Sequence, residues 1–254
     1  MKKLLVTTCN ILAVITIGII AFLLSSGVMR LFTIIDNEIS FTLIYVLSMS
    51  FMLVGVWLYN RFVVHGKEKT MVRVAGFNPI TLLWALVLIV ALSVVLAPLM
   101  RLLPDVKTDV PTGLISMLCV VVVAPIFEEV LFRAKVFSIF SATLSPLGAV
   151  LLSALLFGVM HGNVAVALEA FTVGIVLSYI YILKGSIFAP ILLHIMNNVV
   201  AYVIMIFKYQ DRTIEDFIGD LSIFSTIYIV SAVVVLLGAI HIGYIFVKAN
   251  RVVA

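Results

Sequence analysis

The sequence predicts an all-α protein, a polytopic membrane helix bundle of about eight transmembrane helices. Three observations carry that prediction. Hydrophobic residues make up 64% of the 254 residues and charged residues only 11%, where a soluble globular chain carries about 25% charged residues. Mean hydropathy is +1.32. The apolar residues also fall in runs close to the roughly 20 residues that one helix needs to cross a bilayer, with short polar connections between them.

In chain order, Met1-Lys2-Lys3 is followed by an apolar run over 4–24. This reads as a retained anchor; as a signal peptide it is too long and lacks an A-x-A-like site. Further helices are expected over 39–59, 80–99 and 114–140. The fifth is expected over 146–161, where Ser145-Pro146 supplies a capping residue and a first-turn proline. The last three are expected over 164–183, 187–207 and 221–247. Cys9 and Cys119 lie in apolar runs and read as small core residues; two cysteines make neither a disulfide framework nor a CxxC zinc site.

With eight spans, both termini share one side. That side holds eleven of the sixteen basic residues, among them Lys2, Lys3, Arg61, Lys67, Lys69, Arg73, Lys184 and Lys248. The other side holds Asp36, Glu38, Asp105, Asp109, Asp211, Glu215, Asp216 and Asp220. Basic residues mark the cytoplasmic face, so both termini are expected in the cytoplasm of what the Met-Lys-Lys start and short loops suggest is a bacterial cell membrane. The net charge is only +4, and no basic patch is interleaved with aromatics, which argues against a nucleic-acid partner.

Assigning the loop charges leaves Glu128, Glu129, Arg133, His161, Glu169, His194, Asn197, Asn198 and His241 within spans. A charge at the bilayer centre costs about 2.5–3.5 kcal/mol by insertion scales. Most of these groups lie in the fourth to seventh helices, and the first three expected helices hold no acidic residue or histidine. Arg133 follows Glu129 by four positions and shares its helical face, so the two read as a structural ion pair. Glu128 projects about 100° away and is left for other work. Pro125 frees a carbonyl and can kink the helix. Two histidines, an amide and a carboxylate on three helices supply a base, a water-orienting or metal-binding imidazole, and oxyanion donors. Those are the parts of water-based peptide hydrolysis. There is no H-E-x-x-H and no G-x-S-x-G, and no aspartate lies within a span. Counted at about 1.5 Å per residue, Glu128 lies about 18 Å, His161 about 22 Å and His194 about 10–12 Å along their helices. Tilt or kinks at Pro125 and Pro190 are needed to bring them level. Glu169 reads as a bundle hydrogen-bonding group, His241 as interfacial and His65 as a solvated loop residue.

Glu128-Glu129-x-x-x-Arg133, Phe157-x-x-x-His161 and His194-x-x-x-Asn198, in that order on successive membrane helices, resemble the CPBP family of intramembrane proteases. That family groups CAAX prenyl proteases with bacteriocin-processing and self-immunity proteins of the Abi group. Phe171-x-x-Gly174 and Gly185-Ser186-Ile187-x-x-Pro190-Ile191 extend the likeness across 120–200. The resemblance implies that Glu128 activates water, that His161 positions the water or binds a metal, and that His194 and Asn198 stabilise the oxyanion. Glu129 and Arg133 would support them. Glu128, His161 and His194 would also suffice as ligands for zinc or another divalent metal, so the sequence leaves a metal cofactor open.

The chain is thus expected to divide into scaffold helices over 1–113, a catalytic core over 114–207, and an outer loop with a C-terminal membrane helix over 208–254. The expected function is an intramembrane endopeptidase acting on a membrane-associated protein or peptide at the lipid bilayer. The alternatives are a non-enzymatic immunity or scaffold protein that binds a partner through the same cavity, and a proton-coupled transporter. The second lacks the internal repeat such folds often show.

Overall fold

The structure, a computed structural model, describes residues 2–30, 37–65, 78–103, 113–207 and 218–253, with side chains as far as Lys248. Among the described residues the regular structure is helical and no strand occurs. We number the helices α1 (Lys2–Met29), α2 (Asn37–Val64), α3 (Pro79–Met100), α4 (Leu114–Ser141), α5 (Pro146–Val159), α6 (Val164–Lys184), α7 (Phe188–Ile206) and α8 (Leu221–Val253). Seven of them are long and apolar enough to cross a membrane. Their outward faces are apolar: Leu12, Ile19 and Leu23 on α1 and Leu236, Leu237 and Ile240 on α8 are all exposed. This is the surface of an integral membrane protein, whose solvent on that side is hydrocarbon.

The expected fifth span is corrected. α5 has 14 residues, about 21 Å at 1.5 Å per residue, against a hydrocarbon core of about 30 Å. It starts as its sequence requires, with the Ser145 hydroxyl accepting from the Gly148 N–H at 3.3 Å. It stops at Val159, and residues 160–163 turn the chain into α6. Gly162 there adopts φ +71°, which glycine tolerates without a Cβ penalty. α5 and α6 therefore form a closely packed helical hairpin.

Two glycines set the spacing of that hairpin. A Cβ on Gly158 would stand 2.5 Å from the Ala167 carbonyl oxygen, and one on Gly174 would stand 3.1 Å from the Phe157 ring. Small residues let membrane helices touch backbone to backbone, and here they hold Phe157 against α6.

α4 lies at the centre, packed on α2, α5 and α7. One apolar cluster joins α1, α2, α4 and α5 through Val14, Met52, Leu131, Phe140 and Phe157. A second joins α3, α6, α7 and α8 through Leu88, Leu177, Leu193 and Phe246. Polar contacts pin α1 to this framework: Tyr59 donates to Asn10 Oδ1 at 2.8 Å, and the Thr7 and Thr143 hydroxyls meet at 2.9 Å.

Three smaller expectations also change. Asn60–Val64, read as loop, continues α2 as a π-helical turn that ends at His65 in the left-handed region. α2 begins at Asn37, so Glu38 lies in its first turn and accepts from the Ser116 N–H at 2.9 Å, capping α4. Cys119 is buried, but Cys9 is exposed and packs in no core. Among the charged residues used to assign the two faces, Lys67, Lys69, Arg73, Lys107, Lys208, Arg212, Asp36, Asp105, Asp109, Asp211, Glu215 and Asp216 lie outside the described residues.

Candidate active site

The site is built on an irregular stretch of α4. Ala124–Glu129 is α-helical, but it is flanked by π-helical segments at Cys119–Val123 and Val130–Val136. Such insertions in an α-helix concentrate at functional sites. In the first segment the Ala124 N–H bonds the Cys119 carbonyl, five residues back. In that register the Val120 carbonyl would receive the N–H of residue 125. Residue 125 is proline, which has none. Asn198 on α7 fills the vacancy, its Nδ2 donating to Val120 O at 2.9 Å. Pro125 thus frees a carbonyl, as its chemistry requires, and the tertiary structure supplies the donor. Asn197 instead donates to Asn198 Oδ1 at 3.4 Å, so Asn198 is the amide directed at α4.

The two carboxylates lie near mid-span, about 21 Å from Leu114 by helical rise. Glu129 is fully buried (0% exposed). Its Oε1 lies 3.1 Å from Arg133 Nη1 and 2.9 Å from His194 Nδ1. Arg133 is 1% exposed. It donates from Nη2 to the Gly174 carbonyl at 3.2 Å, and its guanidinium lies 4.8 Å from the centre of the Phe157 ring. The pair is therefore not isolated: His194, the Gly174 backbone and an aromatic face share the buried charge, while Glu129 Oε2 and Arg133 Nε are buried without a hydrogen-bond partner among the described residues.

Glu128 does not stand apart from this cluster. Its Oε2 is 3.6 Å from His194 Nε2, and its Oε1 accepts the Tyr45 hydroxyl at 2.7 Å. Adjacent carboxylates thus approach opposite nitrogens of one imidazole. They differ in access, for the Glu128 side chain is 15% exposed and that of Glu129 0%. The 3.6 Å separation is too long for a direct hydrogen bond.

The depth mismatch counted along the sequence disappears at the start of α7. Ser186 and Ile187 are 2% and 1% exposed. The α6–α7 connection is exposed at Gly185 but turns into the bundle at Ser186 and Ile187, and His194, only six residues into α7, already meets Glu129.

His161 sits in the α5–α6 turn, bonded through Nδ1 to the Phe157 carbonyl at 2.8 Å. Its ring meets the Phe157 ring edge-on at 4.9 Å, and the His194 ring meets that same ring at 5.7 Å. Phe157 is the common neighbour of both histidines, Arg133 and Phe132. It appears in the sequence motif only as a spacer for His161, and its four-residue offset from His161 was the available signal of a role. Tyr45 gave no such signal. It lies on a helix read as scaffold and is one of eight tyrosines.

Among the described residues, no three His, Cys, Asp or Glu side chains stand where one metal ion could join them. Glu128 and His194 are neighbours, whereas His161 reaches the cluster only through Phe157. Glu128, His161 and His194 as arranged here do not fit a metal ligand set, and the chemistry derived below uses none. Glu169 is exposed on α6 and outside the cluster. His241 stacks edge-on against Tyr179 at 5.8 Å, also outside it.

Residues 110–200 match the family described as type II CAAX prenyl endopeptidase Rce1-like. The match is consistent with the CPBP intramembrane protease resemblance of the three motifs. It contains Glu128, Glu129, Arg133, Phe157, His161, His194 and Asn198, and leaves out Tyr45. No curated protein and no solved structure gives a match.

Proposed function

We propose that the chain is an intramembrane endopeptidase in which Glu128 activates water. The observation that carries this is the unequal pair: Glu129 is sealed and neutralised by Arg133, while Glu128 keeps access and faces His194 Nε2. The family description supports a protease.

Glu128 takes a proton from a water held beside His194 as the water oxygen adds to the scissile carbonyl carbon. The tetrahedral oxyanion accepts hydrogen bonds from His194 Nε2–H and from the Asn198 N–H not used on Val120. Protonated Glu128 then passes its proton to the leaving nitrogen as the C–N bond breaks. In the addition step His194, with a carboxylate at each nitrogen, acts with both ring protons: Nδ1–H goes to Glu129, which holds the ring, and Nε2–H to the oxyanion. His161 packs edge-on against Phe157 and acts through that ring, which it holds against His194 and Arg133. We place the opening and both termini on the cytoplasmic side, in line with the bias of basic residues.

The substrate class is a membrane-associated protein or peptide, with a prenylated C-a-a-X terminus the first to test. Purified protein in nanodiscs is incubated with a prenylated C-a-a-X peptide and its unprenylated counterpart, and with a leader-peptide pool. Products are read by mass spectrometry. Glu128→Gln is expected to fold and insert normally yet lose about 10²–10⁴ in rate, the range of a general base. Wild-type turnover in the folded variant would overturn the mechanism.

A further inference from the structure

We infer that Tyr45 on α2 is a positioning residue for the hydrolytic site, so that the site is incomplete without a helix outside the matched residues 110–200. The inference rests on the protease reading above and adds to it.

The geometry is asymmetric in a useful way. Glu128 has two oxygens. Oε1 receives the Tyr45 O–H at 2.7 Å, and Oε2 is the one 3.6 Å from His194 Nε2. The last torsion of a glutamate is broad and roughly two-fold, so nothing in the side chain itself selects which oxygen meets the water. Nothing in its own helix does so either, for Arg133 is engaged with Glu129 and Gly174. The phenol makes the selection from across the bundle. It ties one oxygen, sets the carboxylate plane and leaves the other oxygen beside His194. Polar contacts fix α2 on both sides of Tyr45, since Glu38 caps α4 at one end and Tyr59 is bonded to α1 near the other. Tyr45 thus acts through Glu128 and never needs to touch substrate.

Tyr45→Phe keeps the ring and removes only the donor. With the cleaved peptide identified above as probe, kcat is expected to fall about 10- to 100-fold, the range of one hydrogen bond to a charged group. KM should stay within about twofold, since no substrate contact is lost. Tyr59→Phe is the control: it removes a phenol hydrogen bond from the same helix and should leave kcat unchanged. In a Glu128→Asp background, Tyr45→Phe should cost less than about threefold, because the shorter carboxylate no longer reaches the phenol. An infrared measurement tests the contact without any substrate. The carboxylate stretch that disappears in Glu128→Gln should shift in Tyr45→Phe, and an unmoved band overturns the inference. Wild-type kcat in Tyr45→Phe with an inactive Glu128→Gln sinks the role of Tyr45 alone, whereas a fully active Glu128→Gln sinks the protease reading.

Discussion

Removing Arg133 tests whether the buried charges form one unit. In Arg133→Met the side-chain volume is nearly kept, but Glu129 loses its 3.1 Å counter-charge in a site where it is 0% exposed. The Gly174 carbonyl loses the 3.2 Å donor, and the Phe157 face loses its cation. Breaking a buried pair by removing one partner costs about 3–5 kcal/mol. Removing both is far less costly, since no uncompensated charge remains. Glu129→Gln with Arg133→Met should therefore recover most of the loss. Thermal unfolding in detergent, followed by circular dichroism, compares the wild type with both single variants and the double. By the scaling for chains of 150–250 residues, about 2–4 °C per kcal/mol, Arg133→Met should melt about 6–20 °C lower. The double variant should recover at least half of that. A double variant no more stable than Arg133→Met would refute the coupling and leave packing as the role of Arg133.

Asn198→Ala should cost about 1–3 kcal/mol by leaving the Val120 carbonyl unpaired. Adding Pro125→Ala, which restores an N–H at position 125, should return part of it; chemical denaturation of both variants decides. The hydrolytic activity is expected to persist in EDTA, since no three ligand side chains converge among the described residues; loss of activity restored by zinc would show that the site rearranges around an ion. At the start of α8, the Ile223 N–H, then the Ser222 hydroxyl and N–H, hold Asp220 below its ordinary value of 3.8. The carboxylate therefore supports the helix start above that value, and the support is lost as pH falls through the lowered one. Amide exchange at Ser222 and Ile223 should lose its protection on acidification in the wild type but not in Asp220→Asn, whose amide caps without titrating. Equal acid sensitivity in the two proteins would refute that cap.

Run length and charge spacing alone place every helix of the bundle, because a bilayer imposes a length and a polarity that composition must obey. The same local rules pair Glu129 with Arg133, four residues along one helix, and start α5 at Ser145-Pro146. Run length also counts α5 as a span, since its apolar run continues past the turn that Gly162 ends. What the chain order cannot supply is distance between helices. That Glu128 joins the cluster at His194 depends on α7 beginning inside the bundle. That Asn198 meets Val120 depends on a π-helical register, which leaves no mark in composition beyond Pro125. Tyr45 is the plainest case: 83 residues from Glu128, within an apolar run that offers no acidic residue or histidine, it becomes part of the site through the packing of α2 on α4. Local sequence sets which groups a helix offers, and tertiary packing decides which of them meet, because a hydrogen bond needs atoms within about 3 Å and the sequence specifies no such distance across helices.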